Sequence, residues 1–240
     1  MNNQVCIIEA GRTFAALARR KGDFADWVAA GLDLPRERLQ VVTAFAGCSL
    51  PVAVELAGIV VTGSHAMVTE RRPWSERLAA WLGEAVSRDV PVLGICYGHQ
   101  LLGHALGGTV GNHSGGGEFG TVDIELLPET AADPLFAGLP TVFPAQVFHR
   151  QAVLELPPKA RPLASSKDEP HQAVRYAPRA WGVQFHPEFD AEVMAAYLDL
   201  DEERLVRAGF DLASLQGGLC QTPTAALLLQ RFGHLALEGC

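Results

Sequence analysis

The sequence has no Cys-x-x-Cys pair, no long apolar run and no basic cluster, and each absence removes a class of protein. The five cysteines, Cys6, Cys48, Cys96, Cys220 and Cys240, are odd in number and irregularly spaced. Such spacing does not make a disulfide framework, so a reducing cytoplasm is the expected setting. One cysteine is then free to act as a nucleophile, with the others expected as buried fillers. No apolar run approaches the ~18–20 residues needed to cross a bilayer, so no membrane partner is expected. The opening stretch from Met1 to Gly11 has no basic segment ahead of its short apolar run and does not read as a signal peptide. Arg19-Arg20-Lys21 and Arg71-Arg72 are too short to form the basic stripe that phosphate contacts require, and the net charge is −8. Nucleic acid is therefore not an expected partner. No P-loop, G-x-G-x-x-G, Pro/Ser-rich linker, internal repeat or low-complexity tract is present.

What is present reads as one α/β domain. The 240 residues are 48% hydrophobic and 19% charged, ample for an independent core. Val5–Glu9, Leu39–Ala44, Leu56–Thr62 and Pro91–Ile95 are short β-branched or apolar runs, the signature of buried strands. Helical spacing lies between them, over Phe14–Leu32 and Trp74–Arg88, and again over Gln100–Leu106. This alternation predicts a three-layer fold on a mostly parallel central sheet. Thr121–Leu127, Thr141–Val147, Ala160–Ser165 and Ala180–Phe185 then read as strands without long helices between them, which predicts a mixed or antiparallel extension of that sheet. Ala191–Leu200 is helical. Beyond Asp201 an appendage of helices is expected, one of them starting with Thr222 as N-cap and Pro223 at N1 and continuing through Ala225–Phe232.

The most informative stretch is Val92-Leu93-Gly94-Ile95-Cys96-Tyr97-Gly98-His99-Gln100, a strand, then G-x-C-x-G, then a helix. It has the form of a nucleophile elbow. The turn is so tight that a Cβ two residues before or after the apex would strike backbone, and the apex side chain is left at a strained point. A cysteine at a helix N-terminus sees unpaired N–H groups and a partial positive charge, and both favour thiolate. The Tyr97 N–H points toward an oxyanion formed on a bound carbonyl.

A cysteine nucleophile needs an imidazole to carry its proton, and the imidazole needs a group that fixes its orientation. The last predicted strand of the sheet runs into His186-Pro187-Glu188. In an extended segment residues i and i+2 point the same way, which sets Glu188 beside His186. Cys96, His186 and Glu188 are the expected triad, although Cys96 lies far from the other two in sequence.

These residues resemble the class I, triad-type glutamine amidotransferase family, and within it the GMP synthase-like branch in a stand-alone form. The likeness is carried by Gly94–Gly98, continued by His99-Gln100 and Leu101-Leu102, and by Val183-Gln184-Phe185-His186-Pro187-Glu188, and it extends roughly from Ile59 to Tyr197. It implies a flavodoxin-like fold, with residues 1–200 as the amidotransferase domain and 201–240 as a helical extension packed on it. It also implies that Gly63-Ser64-His65 forms the second wall of the oxyanion hole. There the Ser64 N–H is the donor, Gly63 lies beside the substrate, and His65 replaces the family's usual proline. Gln100 then contacts the substrate, and the backbone of Glu118-Phe119-Gly120 holds its α-amino and α-carboxylate groups. His149 falls where the GMP synthase-like branch has Ser-His-Gly-Asp, but here the stretch reads Phe148-His149-Arg150-Gln151. Without the aspartate, a surface or packing histidine is expected.

The implied chemistry hydrolyses the side-chain amide of glutamine through a γ-glutamyl thioester on Cys96, with no metal or organic cofactor. The implied partners are a small γ-glutamyl molecule and a separate ammonia-accepting synthetase. Two other readings stay open at this point: a γ-glutamyl peptidase or hydrolase using the same triad, and a non-catalytic binding module that keeps the fold. His99, His104 and His113 do not make a zinc site, because His99 and His104 diverge on a helix. Ser114-Gly115-Gly116-Gly117 lacks the Asp-Ser of an ATP-pyrophosphatase loop and reads as a mobile loop beside the site.

Overall fold

The computed structural model describes residues 4–238. Residues 1–3, part of the stretch read above as lacking a signal peptide, and residues 239–240, with Cys240, lie outside the described residues. In chain order, strand β1 (Val5–Glu9) leads to helices α1 (Ala15–Lys21) and α2 (Phe24–Leu32), then strands β2 (Leu39–Thr43) and β3 (Gly58–Val61). Helix α3 (Pro73–Ser87), strand β4 (Val92–Ile95) and helix α4 (Tyr97–Ala105) follow. Seven strands come next: β5 (Thr109–Asn112), β6 (Glu118–Leu126), β7 (Val142–His149), β8 (Gln151–Glu155), β9 (Arg161–Ser165), β10 (Ala173–Ala177) and β11 (Ala180–Val183). Four helices end the described chain: α5 (Ala191–Leu200), α6 (Glu202–Arg207), α7 (Leu212–Gly217) and α8 (Pro223–Leu237).

The main sheet has nine strands in the order β2-β1-β3-β4-β11-β10-β9-β6-β7. The first five in that order run parallel, and each strand from β10 onward pairs antiparallel with its neighbour. β1, β3, β4 and β11 are buried along their whole length, as expected of parallel strands covered on both faces. Helices α2 and α8 pack one face of the sheet, and α3 and α4 pack the other. Leu228, Leu229 and Phe232 of α8 share a core with Val5, Ile7 and Val147. Burial of each such side chain contributes about 1.5–3 kcal/mol, which fixes the C-terminal helix to the sheet. Among the described residues no helix is long and apolar enough to cross a membrane.

Several sequence expectations need correction. The single helix over Phe14–Leu32 is two helices, because Gly22 adopts φ 86° and Asp23 then caps α2. The Asp23 N–H donates to Asp26 Oδ2 at 2.9 Å, so the chain restarts a helix there. Strands β5, β8 and β10 were not read from the sequence. β5 and β8 form a separate two-stranded sheet, and their short, partly exposed runs carry no clear alternation. Thr222 does not cap α8 through its side chain; its hydroxyl donates to the Phe189 carbonyl at 3.5 Å. Of the cysteines expected as buried fillers, Cys6 is buried, whereas Cys48 and Cys220 are exposed.

Candidate active site

The elbow lies where the central strand β4 meets α4. Cys96 adopts φ 49° and ψ −99°, a conformation that costs about 1–3 kcal/mol for a residue with a side chain. A Cβ on Gly94 would sit 2.4 Å from the Gly98 carbonyl oxygen, and one on Gly98 would sit 2.4 Å from that of Val61. Only glycine fits at either position. The Cys96 N–H donates to the Val183 carbonyl at 2.8 Å, and its own carbonyl accepts from the Gln100 N–H at 3.0 Å. These bonds hold the apex against its strain. Tyr97 is the first helical residue, so its N–H has no acceptor within the helix.

Strand β11 runs parallel beside β4, with Val183 opposite Ile95. Past its end the chain reaches His186 at the same edge of the sheet as Cys96. The His186 N–H donates to the Gln146 carbonyl at 2.8 Å. Its ring stacks on Phe189 at 4.1 Å, with Phe24 beyond at 6.4 Å. Nδ1 donates to Glu188 Oε1 at 2.8 Å. This pairing arises differently from the expected one: β11 ends at Val183, and Pro187 and Glu188 lie in a turn rather than an extended segment. The Phe189 N–H closes that turn on the His186 carbonyl at 3.3 Å. Burial alone would lower the His186 pKa. The Glu188 carboxylate and Cys96, a hydrogen-bond partner of the same ring, outweigh burial and raise it to about 10. By contrast, burial pushes the Cys6 thiol up to about 12, with no partner to offset it.

Cys96 and His186 line one cavity of about 120 Å³, together with Ser64, Tyr97 and Gln100. A Cβ on Gly63 would sit 3.0 Å from His186 Cε1, so the turn presses against the imidazole. Ser64 Oγ accepts from the Ala66 N–H at 3.1 Å, which shapes the loop without the family's proline. His65 packs on Phe14 at 4.6 Å and lies 5.9 Å from the Tyr197 ring. Burial lowers its pKa, and the positive charges of His186 and Arg204 lower it further. Gln100 donates through Nε2 to the Gln151 carbonyl at 2.7 Å and to Gln184 Oε1 at 3.0 Å.

Glu118, Phe119 and Gly120 are not among the cavity-lining residues. Glu118 instead accepts from His149 Nε2 at 3.0 Å, Ser166 Oγ at 2.6 Å and Gln172 Nε2 at 2.7 Å. Phe119 packs between Phe148 and Phe210, and Gly120 lies against Leu215 and Leu219 with φ 93°. His149, expected at the surface or as packing, is a buried wall residue of the cavity. His149 Nδ1 donates to the Gln151 carbonyl at 3.0 Å. Burial raises the Glu118 pKa, but His149 and Ser166 outweigh it and hold the carboxyl below its ordinary value. His104 sits against Arg71 and Glu76, His99 against Tyr176, and His113 against the Asp168 carbonyl. The Ser114–Gly117 stretch forms a turn outside the cavity lining.

Sequence reasoning missed Phe14, Phe24, Phe148, Arg150, Gln151, Tyr197, Asp201 and Arg204, all of which line the cavity. Phe24 and Tyr197 looked like ordinary core aromatics on helices. Asp201 and Arg204 lie beyond every motif, and only the Arg150–Asp201 ion pair at 2.9 Å ties them to the site.

A family model for class-I glutamine amidotransferases matches residues 42–200. The chain belongs to that family. Among curated proteins it is 38% identical over 159 residues to a glutamine-hydrolysing GMP synthase of Aeropyrum pernix, covering 64% of this chain and 29% of that one. It is 43% identical over 101 residues to a separate subunit of the glutamine-hydrolysing GMP synthase of Pyrococcus abyssi, covering 42% of this chain and 52% of that one. The chain thus spans about half or less of the length of these relatives. A solved glutamine amidotransferase from Methylobacillus flagellatus superposes with a TM-score of 0.75 at 25% identity, covering 98% of this chain and 93% of that one. One from Thermotoga maritima superposes with a TM-score of 0.74 at 19% identity over 98% and 99% of the two chains, a likeness of fold.

Proposed function

We propose that the protein hydrolyses the side-chain amide of glutamine through a thioester on Cys96 and passes ammonia to a separate synthetase. The observation that carries this is a strained cysteine at a helix N-terminus, in one cavity with a buried imidazole oriented by Glu188. The Cys96 thiolate attacks the δ-carbon and forms a C–S bond. The carbonyl oxygen becomes an oxyanion held by the Tyr97 and Ser64 N–H groups. His186 gives its proton to the amide nitrogen, the C–N bond breaks and ammonia leaves. Water then attacks the thioester as His186 takes its proton. Glutamate departs and the sulfur is released. Gln100, whose Nε2 is engaged by Gln151 and Gln184, keeps its carbonyl oxygen for the substrate.

The cavity volume favours a small substrate. About 120 Å³ falls well below the ~300–1,000 Å³ of sites for larger ligands, so an amino acid fits better than a peptide. The separate partner is supported by the Pyrococcus abyssi relative, which is named as one subunit of its GMP synthase. A reducing cytoplasmic setting accords with the free Cys6, Cys48, Cys96 and Cys220. The test is release of ammonia and glutamate from glutamine beside γ-glutamyl dipeptides, for wild type and Cys96→Ala. Turnover of glutamine that the substitution abolishes is expected. Turnover of the dipeptides alone would replace this reading with a γ-glutamyl hydrolase.

A further inference from the structure

The cavity that holds Cys96 is also lined by Arg150, Asp201 and Arg204. Arg150 sits between β7 and β8, while Asp201 and Arg204 belong to the segment that begins α6. Arg150 Nη2 donates to Asp201 Oδ2 at 2.9 Å, and the Asp201 side chain is only 12% exposed. Arg204 lies 3.9 Å from Asp201 Oδ1, too far for a hydrogen bond. Among the described residues Asp201 is the only ion-pair partner of Arg204. Two guanidinium groups therefore share one carboxylate, and the Arg204 donors are left over. The charge of Arg204 reaches the interior, since it helps to lower the pKa of the buried His65. A planar guanidinium fork matches a carboxylate. Every γ-glutamyl substrate carries such a group, and the Glu118–Gly120 segment does not line the cavity to receive it.

We propose that Arg204, set by Arg150 and Asp201, forms a subsite for a substrate carboxylate. This deepens the glutaminase reading and rests on it for the class of ligand. The carboxylate comes either from the α-carbon of the glutamyl group or from an amino acid on the leaving nitrogen. The same wall then makes α6 part of the specificity of the site.

The test measures equilibrium binding by calorimetry to the full chain carrying Cys96→Ser, alone and combined with Arg204→Gln or Arg204→Lys. The probes are L-glutamine, 4-aminobutanamide (glutamine without its carboxylate) and γ-glutamylglycine. Arg204→Gln is expected to weaken glutamine about tenfold, in line with loss of a hydrogen bond to a charged group, and to erase most of its advantage over 4-aminobutanamide. Arg204→Lys retains part of that advantage. Equal weakening of glutamine and γ-glutamylglycine assigns the α-carboxylate. Weakening of γ-glutamylglycine alone assigns the leaving amino acid. Unchanged binding of all three, or equal weakening that includes 4-aminobutanamide, overturns the subsite. The glutaminase reading is judged separately, by ammonia release from glutamine in the wild type.

Discussion

Two imidazole–carboxylate pairs border the same cavity, and they are built for different work. His186 and Glu188 are two residues apart and meet in a turn, at 2.8 Å. His149 and Glu118 are opposite one another in the β6–β7 ladder, at 3.0 Å. Both pairs are buried. The contrast lies in what each imidazole has left. His149 has both nitrogens engaged, one by Glu118 and the other by the Gln151 carbonyl. His186 has one nitrogen on Glu188, and its other hydrogen-bond partner is Cys96. The carboxylates differ in the same sense. Glu118 accepts from three side chains, whereas Glu188 Oε2 has no hydrogen-bond partner. A saturated pair braces the wall, and an unsaturated one can move a proton.

The sharpest way to separate the two pairs is through turnover. Cys96→Ala is expected to lower ammonia release by on the order of 10⁴-fold or more. His186→Gln should lower it about 10²–10⁴-fold, read at unchanged melting temperature. Glu118→Ala strips His149 of its partner and should cost about 3–5 kcal/mol in denaturant unfolding, while the protein that remains folded keeps far more turnover than His186→Gln. If His149→Gln silenced turnover with full stability, the two imidazoles would not differ as described.

The pH dependence of stability sharpens the contrast further. The His186 pKa is raised from 6.5 to about 10, so its contribution is complete below 6.5 and is lost as pH rises through about 10. The Glu118 pKa is lowered, so its contribution is present above 4.5 and is lost as pH falls through the lowered value. Denaturant midpoints measured across pH should therefore flatten on the alkaline side in Glu188→Gln and on the acid side in Glu118→Gln. The smallest effect is expected at Thr222, whose long bond supports Phe189 beneath the His186 ring. Thr222→Ala should cost less than about 1 kcal/mol by thermal melting and should barely change turnover.

The parallel half of the sheet was legible because its strands are short apolar runs bounded by turns, and because steric demand fixes Gly94 and Gly98 around Cys96. His186 and Glu188 were legible because their partnership is local. The extended geometry expected between them was not what brought them together, since a turn does so. The His149–Glu118 pair depends on strand register, which is a property of two distant segments together. The same holds for Arg150 and Asp201, joined only once α6 folds back against the β7–β8 turn. Strand β10 was hidden because its run Ala173–Ala177 is short and interrupted by Arg175, which turns to Asp133 and Trp181.

The late position of α6 in the sequence also bears on how the molecule is made. Synthesis delivers Cys96, His186 and Glu188 before the wall that carries Asp201 and Arg204. A nascent chain folding from its N-terminal end can thus assemble its nucleophile while one side of the chamber is still inside the ribosome. Such a chain has reactive sulfur but an unfinished enclosure, and the last helices to emerge convert an exposed thiol into a sheltered one.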